Sequence, residues 1–146
     1  MKPLFALTVL LGASLLLTGA DQTVVAYVPH DKVDAALNNV ADIHLVQADN
    51  LAVEGNYRNK PGVVEVHEKL TDIFYITEGE TTFVAGGKLE GGAPTTPGQI
   101  RGGTIIGGTT YHLVKGDAIV IPAGIPHWFK EVPTVVKYFV VKVPKQ

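Results

Sequence analysis

Short runs of alternating apolar and polar residues fill most of the chain from residue 43 to residue 143 and predict β-strands. The runs are rich in Val, Ile and Thr, and breakers such as Pro61-Gly62 and Lys115-Gly116-Asp117 separate most of them. Strands that recur about every 8–12 residues are typical of an all-β sandwich or barrel. The predicted strands cover residues 43–48, 51–57, 63–67, 73–77, 81–85, 109–114, 118–121, 127–131 and 135–143.

The segment before these strands predicts one more strand and one helix. Residues 23–28 are a short run of apolar and β-branched residues that Pro29 closes. Asp31 is a capping candidate for the helix that follows. We expect that helix to lie against the outside of the barrel, because its apolar residues share one face. They recur at the spacing i, i+3, i+4, i+7: Val33, Ala36, Leu37 and Val40.

One glycine-rich segment, residues 86–108, interrupts the rhythm of the strands with nine glycines and two prolines. It is too long for a simple hairpin turn, and loops of this length are usually functional or disordered. We interpret it as a flexible hairpin extension; the alternative is that its glycine pairs bring backbone close to a ligand. It is not a phosphate-binding loop, since no Gly-Lys-Ser/Thr follows and no strand-to-helix transition is present.

The first twenty residues have the layout of a secretory signal peptide. Lys2 supplies a positive start, residues 4–17 are almost entirely apolar, and Thr18-Gly19-Ala20 offers small residues for cleavage. A membrane anchor is the alternative, but the apolar run has about 14 residues and a span needs roughly 20. We therefore predict cleavage near Ala20 and a periplasmic or secreted protein with no membrane association afterwards. The expected organisation is a signal peptide (1–20), an N-terminal strand and helix (21–50) and a barrel domain (51–146).

The composition limits which classes of partner the protein can bind and which residues can ligate a metal. The formal net charge is −2, with 12 basic and 14 acidic residues, which argues against nucleic acid or an anionic membrane surface as a partner. The chain has no cysteine, so any metal site must use His, Asp or Glu.

Two separated stretches carry candidate metal ligands. Residues i and i+2 of a strand share a face, so Glu65 and His67 project together. A turn at residues 68–71 is expected to return the chain so that Asp72 begins the adjacent strand near the same level. Much later, a Pro-Ala-Gly corner at residues 122–124 leads into a strand that begins with His127, from which a fourth ligand could enter.

These stretches resemble the two conserved motifs of the cupin superfamily. The second motif of the family, Gly, five residues, Pro-x-Gly, two residues, His, three residues, Asn, matches from Gly116 to His127, with Glu131 in place of Asn. The first, His-x-His, three or four residues, Glu, six residues, Gly, matches in spacing from residue 65 to Gly79. The resemblance covers residues 55–143. It implies a small single-domain cupin with the double-stranded β-helix, a jelly-roll-like barrel.

The resemblance also implies a metal site, with two departures from the family pattern. Glu65 stands where the first His is expected, and Asp72 stands where the Glu is expected. Carried over by position, the ligands are Glu65, His67, Asp72 and His127. Two carboxylates and two imidazoles suit a divalent transition metal, Mn, Fe, Ni or Zn, with open positions for water or substrate.

Several of these residues have other interpretations. Glu65 is a candidate general base or a hydrogen-bond partner of His67 as much as a ligand, and Asp72 is equally a turn residue. Tyr75 or Tyr57 is a candidate to present a catalytic hydroxyl in the pocket, and we select Tyr75 with Glu65 as the proton-transfer pair. Arg101, in the glycine-rich segment, is interpreted as a solvated loop residue and alternatively as a contact for an anionic substrate.

Two classes of function stay open at this level. The first is a metal-dependent enzyme of oxygenase, isomerase or lyase type acting on a small organic molecule. The second is a non-catalytic module that binds or senses a small ligand, with or without a metal. The resemblance further implies a homodimer formed by strand exchange or sheet edges, for which residues 23–28 are the predicted edge strand.

Overall fold

The computed structural model describes residues 25–145, which form one short helix and twelve strands whose pairings are all antiparallel. Four of the predicted strands, at residues 43–48, 109–114, 118–121 and 127–131, are confirmed with the same bounds. The elements are α1 (His30–Leu37), β1 (Ile43–Ala48), β2 (Leu51–Arg58), β3 (Glu65–His67), β4 (Leu70–Ala85), β5 (Lys88–Glu90), β6 (Ala93–Thr96), β7 (Gln99–Arg101), β8 (Thr104–Ile106), β9 (Thr109–Val114), β10 (Ala118–Ile121), β11 (His127–Glu131) and β12 (Val136–Pro144).

Strand β4 joins the two layers of the barrel. Its first half pairs with β10 and β12, and its second half pairs with β9 and β11. The sequence predicts separate strands at residues 73–77 and 81–85, but one strand continues between them and bends at Gly79, which has a φ of 76°. A Cβ atom at this position would lie 1.9 Å from the carbonyl oxygen of Val135, so only glycine fits. One long strand therefore replaces the two that the sequence predicts.

Through β4 the strands form one curled sheet whose two halves enclose the core. One layer has the order β1-β2-β12-β4-β10, and the other has the order β9-β4-β11-β3-β7-β6. The core between them is aromatic: Phe74 lies 5.7 Å from Phe83 and 5.8 Å from Phe129, and Tyr138 stacks on Phe129 at 4.9 Å between ring centroids. Tilted and stacked aromatic pairs of this kind contribute both apolar burial and favourable ring geometry.

Helix α1 covers the outer surface of β2, as predicted. Ala36 is 1% exposed and faces Gly55, where an added Cβ would lie only 2.7 Å from the Cβ of Ala36. The helix begins and ends three residues earlier than the apolar stripe. Asp31 lies in its first turn and makes no capping hydrogen bond, and Val40 lies beyond its end with 60% exposure.

The predicted N-terminal strand is not supported where the structure describes it. Residues 25–28 form no strand, and Val25 and Tyr27 are 90% and 83% exposed. A run of β-branched residues favours extended backbone, but a strand needs a partner for its hydrogen bonds. Residues 23 and 24 and the predicted signal peptide lie outside the described residues. Among residues 25–145, no helix has the length and apolarity to cross a bilayer.

The glycine-rich segment does extend a hairpin, since Ala85 at the end of β4 pairs with Thr109 at the start of β9. The sequence did not predict that the segment folds into four short strands. Strand β5 pairs with β8, β6 pairs with β7, and β7 continues onto β3 beside the metal-ligand candidates. The turns between these strands use glycines at positive φ, such as Gly91 at 74° and Gly103 at 80°, where L-residues are strained.

Candidate metal centre

Strands β3 and β11 place three of the four predicted ligands on one layer. Glu65 and His67 share a face of β3, and His127 on β11 is the direct cross-strand partner of Glu65. The Pro-Ala-Gly corner is tied to the same place, because the Gly124 amide donates a 2.8 Å hydrogen bond to the carbonyl of His67. The corner motif thus orients His127 towards His67, and their ring centroids are 5.2 Å apart.

Asp72 comes from the opposite layer, which corrects the expectation that its strand neighbours β3. Strand β3 pairs with β7 and β11, whereas the part of β4 that carries Asp72 pairs with β10 and β12. The two-residue turn at Glu68-Lys69 therefore crosses from one layer to the other. Asp72 and His67 meet across the interior of the barrel instead of side by side.

Three of the four candidate ligands form a compact group, and Asp72 lies beside the two histidines of that group. The Nε2 atom of His67 is 3.2 Å from Asp72 Oδ2 and 3.6 Å from Glu65 Oε2, and Nε2 of His127 is 3.7 Å from the same Asp72 oxygen. The ligand atoms of Glu65, His67 and His127 all lie within 4.8 Å of one another. Ligands at about 2.1 Å from an ion and at right angles to each other are about 3 Å apart. The distances from Nε2 of His67 to the Glu65 and Asp72 oxygens, 3.6 and 3.2 Å, are slightly longer than this value.

Both imidazoles are oriented for ligation through Nε2. In His67 the Nδ1 atom contacts Gln99 Oε1 at 2.5 Å, and in His127 it lies 3.3 Å from the carbonyl oxygen of Ile125. Nδ1–H donation to these oxygens places the Nε2 lone pairs towards the carboxylates, the arrangement common around protein-bound metals. Burial, together with the nearby His67, lowers the pKa of His127 to about 3, so this ring is neutral at physiological pH.

Asp72 has the most unusual environment of the four. Its side chain is 1% exposed, and neither carboxylate oxygen has a hydrogen-bond partner among residues 25–145. Burial raises the pKa of Asp72, an effect that Lys142 at 3.6 Å and His67 oppose. Buried carboxylate oxygens without a partner in hydrogen-bond geometry are costly, and the raised pKa shows that Lys142 compensates this cost only in part. A cation between Asp72 and the two imidazoles would satisfy them, so the donor set fits a metal ion.

Arg101 is the residue at this centre that the sequence interpretation placed in solvent. It is the cross-strand partner of Glu65 through the β3–β7 pairing, and its Nη1 atom is 3.2 Å from Glu65 Oε1. Gln99, two residues earlier on β7, contacts His67 and was not singled out from the sequence at all. The alternation of polar Gln99 and Arg101 around apolar Ile100 is consistent with a strand. The glycines on both sides, however, favour a loop, so the strand was not predicted.

The structure does not bring Tyr75 to the centre. Tyr75 follows Phe74 on β4 and therefore points to the opposite face, where it is 49% exposed. The hydroxyl that lines the interior instead belongs to Tyr138 on β12, which is 3% exposed. Burial raises the pKa of Tyr138 to about 12, so its hydroxyl stays protonated.

Comparison with known proteins identifies the fold through structure alone. No family model matches the chain, and no curated protein matches it in sequence. A cupin-2 domain protein from Shewanella frigidimarina superimposes with a TM-score of 0.53 and 14% identity over 80% of this chain and 91% of its own. This chain has the cupin fold. A Bacillus halodurans protein, BH2720, gives a TM-score of 0.58 and 19% identity over 86% of both chains. A double-stranded β-helix protein from Klebsiella pneumoniae gives 0.52 and 17% over 77% and 86%.

The cupin barrel encloses a cavity of about 540 Å³ that contains the candidate metal centre. Besides the four candidate ligands, β2 lines it with a row of polar side chains at alternating positions: Glu54, Asn56 and Arg58. The strand is predicted from the sequence, but the row of polar side chains is not. The outer face of β2 is expected to contact a helix, so the polar residues at every second position must point into the barrel. This pattern could have indicated an interior polar site.

Glu54 offers a test of how this barrel tolerates charge. It is 7% exposed, with His44 at 3.4 Å and Lys142 at 4.0 Å, and burial raises its pKa. A carboxyl whose folded pKa is raised destabilises the fold above that pKa, and the penalty fades as pH falls through it. We therefore expect Glu54→Gln to raise the melting temperature at pH 8 and to lose this advantage as pH falls through the raised pKa towards the ordinary value of 4.5.

Differential scanning calorimetry across this pH range would measure the effect. The matched control is Glu90→Gln, because Glu90 is exposed on β5. A Glu54→Gln variant whose melting temperature differs from wild type by the same amount at every pH would contradict the assignment of the penalty to Glu54 ionisation.

Proposed function

We propose that this protein is a metal-binding cupin of the periplasm that holds one divalent transition metal and binds or acts on a small organic molecule beside it. The proposed ligands are Glu65, His67, Asp72 and His127. The observation that carries the proposal is the buried Asp72 carboxylate, whose oxygens have no partner in hydrogen-bond geometry among residues 25–145 and which faces the Nε2 atoms of two histidines. The export component rests on the signal-like residues 1–20 alone.

The ligand chemistry favours Mn, Fe, Ni or Zn, because imidazole and carboxylate together suit these ions. When bound, such an ion supplies Lewis acidity that polarises an oxygen atom of a ligand in the cavity. The chain itself orients the centre: Gln99 and the carbonyl of Ile125 set the two imidazole tautomers, and Arg101 holds Glu65 on the side towards the cavity. Glu65 is 20% exposed, which leaves it accessible as a base for a bound molecule as well.

Metal analysis of the purified protein tests the proposal. Protein prepared without chelator is expected to carry close to one transition metal per chain. Removal with EDTA is expected to lower the melting temperature by roughly 5–10 °C and re-addition of the metal to restore it, since a ligand at a hundred times its Kd adds about 2.7 kcal/mol. Mg²⁺ added at the same concentration is the control and should restore little, because imidazole ligands do not suit it.

A metal-free ligand-binding module is the second candidate, and one observation favours it. Each carboxylate of the proposed metal centre already has a protein cation within ion-pair distance: Arg101 at 3.2 Å from Glu65 and Lys142 at 3.6 Å from Asp72. These contacts neutralise the charge that would attract a metal. This alternative predicts protein without stoichiometric metal and a melting temperature that EDTA leaves unchanged, so the same experiment separates the two functions.

A further inference from the structure

The cavity has a second polar region, on the layer formed by β2 and β12. Asn56 on β2 is the direct cross-strand partner of Tyr138 on β12, and Arg58 follows two residues after Asn56 on the same face. All three residues line the cavity. We call Asn56, Arg58 and Tyr138 the donor patch, because each carries an N–H or O–H group and Tyr138 stays protonated.

The donor patch contains unpaired hydrogen-bond donors. Asn56 Nδ2 and Arg58 Nε are buried and have no partner among residues 25–145. The other buried side-chain atoms in this condition within the described residues are the two Asp72 oxygens. The residues that carry these four atoms all line one cavity: Asp72, with two unpaired acceptors, at the metal centre, and Asn56 and Arg58, with two unpaired donors, at the donor patch. Unpaired acceptors favour a cation, and unpaired donors favour a group with acceptor oxygens.

Charge distinguishes the donor patch from a site for a neutral carbonyl or for water. Arg101 and Lys142 each have an acidic partner in the cavity, whereas Arg58 has no carboxylate within 4.0 Å among residues 25–145. A guanidinium is always protonated and is costly to enclose without an anion. Its carbon Cζ lies 4.8 Å from the centroid of the Phe129 ring, which keeps the side chain in the cavity.

The aromatic core places the donor patch one ring away from the metal centre. Phe74 lies 5.6 Å from Tyr138 and 5.9 Å from His127, measured between ring centroids. The two polar regions thus share one cavity of about 540 Å³ with an apolar side chain between them. This spacing suits a small molecule with an anionic end, a short apolar middle and a second polar end.

We propose that the donor patch binds the carboxylate of a small organic acid, whose other end reaches towards the metal centre. The inference rests on the proposed use of the cavity for a small organic molecule and names its chemical class. Arg58 supplies the charge, and Asn56 and Tyr138 supply hydrogen bonds to the carboxylate oxygens.

The two arginines of the chain make a direct test practicable. Uniformly ¹⁵N-labelled protein, freed of metal with EDTA, would show two arginine Nε–H signals in an NMR spectrum, and Arg101→Lys assigns them. Butyrate is expected to shift the Arg58 signal saturably at pH 7, whereas butyramide, its neutral analogue of the same shape, leaves it in place. An Arg58 signal that butyrate does not move, or that butyramide or inorganic phosphate moves at lower concentration, would overturn the proposal.

Variants extend the test beyond the wild-type titration. Asn56→Asp places a negative charge beside the ligand and is expected to weaken butyrate binding at least tenfold, while Asn59→Asp, at an exposed position on the same segment, should leave binding unchanged. Tyr138→Phe removes one donor and is expected to weaken binding several-fold, which provides a second measurement if Asn56→Asp does not fold. Equal affinities in all three variants would count against the donor patch.

The experiment separates this inference from the proposed metal function. The titration uses metal-free protein, and metal content is measured on its own. Butyrate binding at Arg58 in a protein that never takes up metal would refute the metal centre and leave the donor patch standing. Stoichiometric metal in a protein whose Arg58 signal butyrate does not move would refute the donor patch and leave the metal centre standing.

Discussion

The double substitution His67→Ala with His127→Ala is expected to abolish the proposed metal binding completely. These are the two imidazoles of the centre, with Nε2 atoms 3.2 and 3.7 Å from the same oxygen of Asp72. Loss of even an outer partner of a metal ligand costs about 10–100-fold in affinity, so loss of two ligands should cost on the order of a thousandfold or more. Elemental analysis after purification without chelator, followed by titration of the metal-free variant, measures both effects.

A matched pair of histidines gives the control. His30 and His112 are exposed, and His112 makes only a surface ion pair with Glu80 at 3.2 Å. The variant His30→Ala with His112→Ala removes the same number of imidazoles and should keep one metal per chain. Full metal content in the His67/His127 variant, with its fold confirmed by circular dichroism, would show that the metal binds elsewhere.

The substitution Asp72→Asn is expected to have two opposite effects. In the metal-free protein it should raise stability, on the order of 1–3 kcal/mol, because burial raises the pKa of the Asp72 carboxyl despite the nearby Lys142 and His67, so its ionised form destabilises the fold. The new amide can donate to the neutral imidazole of His127, whose Nε2 lies 3.7 Å from Asp72 Oδ2. In the presence of metal the same change should lower affinity at least tenfold, since a charged ligand is lost.

Urea unfolding with and without metal measures the two effects separately. Asp34→Asn, at an exposed position of helix α1, is the control and should change neither quantity. A metal-free Asp72→Asn protein that is less stable than wild type would mean that the ion contact with Lys142 outweighs the burial of the carboxylate. Unchanged metal affinity would remove Asp72 from the ligand set.

Local patterns predicted the elements well because they depend on neighbouring residues. Strands β1, β9, β10 and β11 have the predicted bounds, since alternation and turn residues lie within a few positions of each other. Predictions from local patterns were wrong where contacts with residues distant in sequence determine the secondary structure. Residues 25–28 have strand-forming composition but no partner in the described structure, and β4 bends at Gly79, where Val135, just before β12, approaches closely.

In the candidate site, too, some features could be predicted from local sequence and others could not. The shared face of Glu65 and His67 follows from the two-residue period of a strand, and the two motif spacings indicated the cupin fold. The donor patch was not predicted, because nothing near Asn56 in sequence reveals that Tyr138 lies opposite. Arg101 was assigned to solvent because the β7 strand that carries it depends on pairing with β3.

The sequence by itself determined an all-β chain, the order of its strands along most of its length, and the residue types available for a metal. The tertiary structure alone decided that Asp72 faces His67 from the opposite layer, that Arg101 and Lys142 contact the two carboxylates, and that four buried polar atoms without partners in residues 25–145 share one cavity. The physical reason is the sequence separation of the residues that interact. Alternation and turns arise from adjacent residues, whereas burial and desolvation depend on residues that are distant in sequence.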